Sequence, residues 1–545
     1  MKTPIAAAWS PTMSTFQNPV LTGMNPDPSL CAVGDEFFLV TSSFAYWPGI
    51  PVHRSRDLVH WEQIGHVLDR PEQIDLSGID TSDGIWAPTI RHHDGIFYVV
   101  STVARDRRGG VNFVTTALDA AGPWMQPVVL DAEGIDPSLF FDDDGRCWFT
   151  ACRDAEDPFL RGPAELYIQE LDLETLQLTG PLHVLWNGAV AGAWAEAPHI
   201  YKRDGVYYLI AAEGGTERNH SVTAARSATV TGPYRTDPRS PLLTHRHLGP
   251  EAVFQNVGHA DIVETPAGET WALVLATRPL DGAHTLGREV FLVPAEWTDD
   301  GLLLAPGFGH VREMERAPIS MLSDAPTPDA PSVERELFEG AGLPPGWRSL
   351  RGPVRGQEQA CGAGVSLRAS SDDLSDRGTP SFLARRQEHQ SFEARTSVSF
   401  RPQSSSNEAG LAVFYDERHF ATLAVTLDED GRPIVRFQRS GTSGTSGEVA
   451  VTPDGEMLLR VIGDLDAYVF SCWDERQGDW LTLGKVPRAW FSTEHAGGFV
   501  GVHVGLYAVG AGEDAAETAL FPWFEYISAS GQARMPSSRA VLAIS

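Results

Sequence analysis

A chain of 545 residues is too long for one hydrophobic core, so at least two domains are expected. A hydrophobic content of 42% argues against general disorder, and no segment reaches the roughly 20 apolar residues that span a bilayer. The formal net charge of −30 argues against nucleic acid or an anionic membrane as partner and suits a neutral or cationic ligand.

The N-terminal stretch Met1 to Trp9 carries one lysine and no adequate apolar run, so it does not read as a signal peptide. The five cysteines (Cys31, Cys147, Cys152, Cys361 and Cys472) show no zinc-type spacing. Free buried thiols in a reducing compartment, and hence a cytoplasmic protein, are the expectation.

Residues 17–316 repeat one hairpin five times. The turns are Gly34-Asp35, Asp94-Gly95, Asp144-Gly145, Asp204-Gly205 and Ala267-Gly268, each followed by aromatic or apolar residues. Asp-Gly between apolar runs is a strong hairpin signal, because glycine supplies the positive φ of a tight turn. Eight residues before the Asp of the first four turns, and nine before Gly268, stand Asp27, Trp86, Asp136, Glu196 and His259. These openings lie between 50 and 63 residues apart. All-β material with that period matches a propeller blade plus its loops. The expected fold is therefore a five-bladed β-propeller over 1–316, with the strand before each turn innermost. Its five opening residues would converge at one end of the central channel. Taken singly, an Asp before Pro is more often a turn residue and Trp86 a core residue; the matched offsets favour convergence.

Residues 317–333 carry four prolines and little apolar content, a linker. From 334 to 530 the texture is β without the repeat, with short strands expected at 392–400, 411–415, 421–427, 457–462, 467–473, 499–507 and 523–527. Phe392, Ala394, Thr396, Val398 and Phe400 alternate with polar residues, as in a half-buried strand. Several short strands suggest a β-sandwich, followed by a polar tail at 531–545.

Two carboxyl groups at fixed separation are the minimal apparatus for cleaving a glycosidic bond: one protonates the leaving oxygen, the other activates water or attacks. A neighbouring carboxylate keeps the acid protonated near neutrality. Asp27, Asp136 and Glu196 supply such a set, and Phe44, Tyr46, Trp47, Trp86 and Trp194 offer flat apolar faces for sugar.

The motifs Asn25-Pro26-Asp27-Pro28-Ser29, Gly84-Ile85-Trp86-Ala87-Pro88, Ile135-Asp136-Pro137-Ser138, Glu196-Ala197-Pro198-His199, Ala212-Glu213-Gly214-Gly215-Thr216, Gly258-His259-Ala260 and Leu286-Gly287-Arg288-Glu289 together resemble glycoside hydrolase family 43. The likeness is to its two-domain β-xylosidase and α-L-arabinofuranosidase members, in which the propeller precedes a concanavalin-like, jelly-roll sandwich. The resemblance implies an exo-acting, inverting enzyme that frees terminal D-xylose from β-1,4-xylo-oligosaccharides. An α-L-arabinofuranosidase, alone or as a second activity, is the alternative, and a non-catalytic sugar-binding propeller the remoter one. It implies Asp27 as general base, Glu196 as general acid and Asp136 as the residue that orients and tunes the acid. Phe44, Trp86, Glu213, His259 and Arg288 are the implied substrate-binding residues. No cofactor is required by the resemblance; in some relatives the channel histidine, here His259, sits beside a calcium ion or a water. Similar proteins are often dimers or tetramers, and in them the sandwich leans over a closed pocket, for which 499–507 is the candidate region. The chain departs from the family pattern at Ala197, where glycine is usual.

Overall fold

A computed structural model describes residues 14–318, apart from 107, 157–161 and 191–192, and 332–528, apart from 340–341, 355–357, 361–363, 442–446, 452–454 and 511–516. Most of the expected linker, the expected tail and Cys361 lie outside the described residues.

Five four-stranded antiparallel sheets follow one another along the chain. Their inner strands are Ser29–Val33, Gly84–His93, Ile135–Phe141, Ala195–Arg203 and Gln255–Glu264. Period-two alternation explains why these sheets stack as blades. Phe38 and Val40 face Ile90, Phe97 and Val99 between blades 1 and 2. Tyr98 and Val100, on the other face of the same strand, pack with Leu139 and Phe149 of blade 3. Similar clusters join blades 3 and 4 through Leu166 and Leu209, and blades 4 and 5 through Ile210 and Val274. Leu30, Phe37 and Leu39 meet Val263, Trp271 and Leu273, which closes blade 5 onto blade 1. Thr15–Gln17 pairs with Met314–Arg316 and ties the ends of the ring.

The second domain packs an eight-stranded sheet against a six-stranded one, with Leu411, Val413, Leu423 and Leu506 against Phe392, Leu459, Val461 and Phe470. Phe392–Val398 is buried on both faces, not one: it sits between two neighbouring strands, and Glu393 is covered while paired with Arg395. The expected strand at 499–507 begins only at His503.

The domains share a sheet. Tyr46 and Trp47, from the propeller, pair with Leu350 and Ser349 as its edge strand. Residues 499–502 are clamped at the same junction: Phe499 N–H donates to Ser82 Oγ (3.1 Å) and Val502 N–H to Thr285 O (2.8 Å). Only glycine fits at 501, since a Cβ there would lie 2.6 Å from Leu286 O.

Candidate active site

Each inner strand carries a left-handed residue at or near its opening, and in blades 2 to 5 the ladder also shifts register there. The ladders shift register between Trp86 and Thr89, Ile135 and Ser138, Glu196 and His199, and Gln255 and Ala260. Such bulges re-aim a side chain beside a site. At the kinks Asp27, Ala87, Asp136, Ala197 and His259 adopt left-handed φ between 39° and 57°. The five residues matched by counting back from the turns are thus not equivalent in backbone position. Asp27, Asp136 and His259 occupy the left-handed site itself; Trp86 and Glu196 precede it by one. Aspartate tolerates this conformation, whereas an alanine there costs about 1–2 kcal/mol. Glycine would hold the position of Ala197, φ 52°, without that cost.

The kinks bring the side chains together. Asp27, Trp86, Asp136, Glu196 and His259 line one cavity of about 90 Å³ with Phe44, Ile135, Thr216, Arg288 and Phe499. Asp27 is fixed from two sides: Ser42 Oγ donates to its Oδ2 (2.6 Å) and Arg288 Nη1 to its Oδ1 (2.7 Å). Ser42 Oγ also accepts the Ala87 N–H (2.7 Å), coupling base and aromatic wall. His259 Nδ1 lies 3.6 Å from Asp27 Oδ1. Arg288 Nε is buried and makes no hydrogen bond to any described residue.

Burial raises all three carboxyl groups; their charged neighbours then separate them. Arg288, His259 and the Ser42 hydroxyl more than offset burial at Asp27 and hold it below the usual carboxylate range. Glu196 is pushed up to about 7, by burial first and the Asp27 charge second. Burial, Glu196 and Asp27 also raise Asp136, which accepts the Ala197 N–H beside the acid. The site thus holds an ionised carboxylate beside a carboxyl group still protonated near neutrality, the pairing that acid–base chemistry requires. With Glu196 read as the acid, kcat/KM is expected to fall as pH rises through about 7. With Asp27 read as the base, the acid limb is expected below the ordinary carboxylate range. A pH profile that kept rising above neutrality would contradict this pairing.

Phe499 is the sandwich domain's contribution. Its ring lies edge-on to Trp86 (centroids 5.7 Å), and the Arg288 guanidinium sits 6.0 Å from it and 5.8 Å from Phe44. Burying a phenylalanine is worth roughly 1.5–3 kcal/mol in full, so Phe499→Ala is expected to raise KM about tenfold with a smaller change in kcat. An unchanged KM in steady-state assays would remove Phe499 from the site.

Other expected residues lie elsewhere. Glu213 does not line the cavity: its buried carboxylate accepts the N–H groups of Ala189 and Val190 (3.1 Å for the latter), so it carries that loop rather than facing sugar. Tyr46 is stacked on His503 in the domain junction, Trp47 belongs to the same edge strand, and Trp194 packs beside the cluster between blades 3 and 4. Two supporting residues escaped sequence reasoning. Ser42 lies on a loop with no motif. His220 packs 2.5 Å from where a Cβ on Gly258 would stand, which explains the glycine before His259.

Below the cavity the channel is filled by the chain's own ion pair. Asp261 accepts from Arg91 Nη1 (2.8 Å), Ser29 Oγ (2.7 Å) and Tyr201 OH (2.6 Å). Arg91 Nη2 also meets His199 Nδ1 at 3.0 Å. His199 Nε2 and His220 Nε2 are buried there without partners among the described residues, but both are ring nitrogens, whereas calcium takes oxygen ligands. Among the described residues no three His, Cys, Asp or Glu side chains converge as a metal cage. The residues present therefore do not fit a dedicated calcium site beside His259, and no chemical step is routed through one.

Comparison with known proteins identifies the family of both domains. Residues 16–303 match the family described as glycosyl hydrolases family 43, and residues 335–527 match the β-xylosidase C-terminal concanavalin A-like domain. A xylosidase/arabinosidase of Butyrivibrio fibrisolvens is 36% identical, over 92% of this chain and 97% of its own. A non-reducing end α-L-arabinofuranosidase of Bacteroides ovatus is also 36% identical, over 94% of each. The crystal structure of a xylan β-1,4-xylosidase from Bacillus halodurans superposes with a TM-score of 0.87 at 33% identity, covering 94% of this chain and 99% of that one. A five-bladed propeller with a carboxylate trio at its channel mouth, capped by a concanavalin-like domain, thus belongs to a glycoside hydrolase of family 43.

Proposed function

We propose that this protein is an exo-acting, inverting pentosidase that removes terminal D-xylose from β-1,4-xylo-oligosaccharides. The observation that carries the reading is the cavity itself. Three carboxyl groups meet in about 90 Å³, well below the roughly 300 Å³ at which pockets for larger ligands begin, so the space suits a single terminal sugar ring. Glu196 donates its proton to the leaving oxygen, Asp27 takes a proton from the attacking water, and Asp136 holds the acid loop through the Ala197 N–H. Arg288, Phe44, Trp86 and Phe499 grip the ring. A location in the cytoplasm is part of the proposal, supported by four buried free thiols among the described cysteines.

An α-L-arabinofuranosidase activity is the second reading, favoured by the relative of that name at 36% identity. Nitrophenyl β-D-xyloside and nitrophenyl α-L-arabinofuranoside assayed side by side separate the two. The proposal expects higher kcat/KM on the xyloside with measurable turnover of the other. Equal or greater arabinofuranoside turnover would reverse the order.

A further inference from the structure

A second cavity, of about 680 Å³, opens between blade 1 and the sandwich domain and shares no lining residue with the catalytic one. The sheet register explains its chemistry. Arg348 opposes Ala384, Arg386 opposes His503, and Tyr46 opposes Leu350. Paired residues share a face, so Arg348, Arg386 and His503 all point from the sandwich sheet to one side. His53 and His66 of blade 1 belong to the same cluster, since both arginines bear on their titration.

The two guanidinium groups are buried positive charge in a chain of net charge −30, while burial and these same arginines keep His53, His66 and His503 neutral. Arg386 is 4% exposed, with Nε and Nη2 unpartnered; Arg348 is 3% exposed, with Nε unpartnered; His53 is 4% exposed, with Nδ1 unpartnered. Arg386 and His53 line the cavity. The carboxylates around it are paired elsewhere, and Glu388, though near enough for its charge to bear on Arg348 and Arg386, forms no ion pair with either among the described residues. Glu388 and Glu334 both pair with Arg385, at 2.9 and 2.6 Å, and Glu336 accepts the Phe338 N–H at 2.8 Å. The other cations there have their own partners, Glu289 for Arg278 and Glu525 for Arg335. A buried guanidinium without a counter-charge is costly, whereas one facing an oxyanion makes strong, charge-assisted hydrogen bonds.

We propose that this cavity binds a small oxyanion, a phosphate or a carboxylate, held by Arg386 and His53 from opposite sides of the domain junction with Arg348 behind them. Such a ligand would staple blade 1 to the sandwich. It would not enter the catalytic cavity.

The full-length protein is titrated calorimetrically with inorganic phosphate and, separately, with glucuronate, at constant ionic strength set by sodium chloride. Thermal unfolding is followed under the same conditions. The proposal expects saturable binding of one anion per chain and a rise in Tm of about 2–4 °C above the chloride control. Saturation by phosphate alone assigns a phosphate ligand; saturation by glucuronate assigns an acidic sugar. Arg386→Met is expected to abolish both effects while retaining glycosidase turnover. Should that variant fail to fold, His53→Phe is expected to weaken binding at least tenfold. Absence of saturable heat with both anions in the wild type, or undiminished binding in the variants, would overturn the proposal.

Discussion

Glu196→Gln is expected to lower kcat on xylo-oligosaccharides by about 10³-fold or more, within the 10²–10⁴-fold typical of a general acid and at its upper end. The glutamine keeps the shape of the side chain and cannot donate the proton that the leaving sugar needs. The loss should depend on the leaving group. A nitrophenolate departs with little protonation, so the same variant should retain far more activity on nitrophenyl xyloside than on xylobiose. Substrate affinity should persist, because Arg288, Trp86, Phe44 and Phe499 are untouched. A uniform loss across leaving groups, or an unchanged rate, would take the acid's role away from Glu196.

Asp27→Ala should be at least as damaging and should differ in pattern. Its carboxylate is held by Ser42 and Arg288 and kept ionised, as expected of the group that activates water. Removing it should lower kcat by about 10³–10⁴-fold on activated and unactivated substrates alike, because attack by water is needed in both. It should also shift the acid: without the Asp27 charge, one of the causes that raise Glu196 is gone, and the alkaline limb of any residual activity should move to lower pH. Leaving-group dependence for Glu196 and independence for Asp27 form a paired kinetic signature that a merely structural role would not reproduce. A rate within tenfold of the wild type in Asp27→Ala would exclude it as base.

The blades and the trio were legible for a common reason. Asp-Gly turns and alternating apolar residues are local signals, and their repetition carried Asp27, Asp136 and Glu196 to one channel mouth despite their distance along the chain. Finer placement was not local. Counting back from the turns treats Trp86 and Glu196 as equivalents of Asp27 and Asp136, yet the turns differ: the strands meet directly across Asp94-Gly95 and Asp204-Gly205, Asp35 is the second residue of the first turn, and residues 142–146 separate the strands of blade 3. Glu213 sits in a motif with glycines but turns under the Ala189–Val190 amides, a partner remote from its own turn. Phe499 looked like the start of a strand; what holds 499–502 out of the sheet is contact with the other domain, Phe499 with Ser82 and Val502 with Thr285. Tyr46 and Trp47 read as possible sugar platforms and instead became an edge strand, because their partners at Ser349 and Leu350 lie about 300 residues away. The paired burial of Arg348 and Arg386 likewise exists only after both domains have docked.

The account rests on Asp27 acting on water rather than attacking the sugar, which requires the two working carboxyls to stand roughly 6.5–9.5 Å apart rather than the roughly 5–5.5 Å of a double displacement. Proton NMR of the first product formed from a β-xyloside, recorded before mutarotation, reads this choice directly. The account predicts α-xylose as the initial anomer; initial release of β-xylose would contradict it.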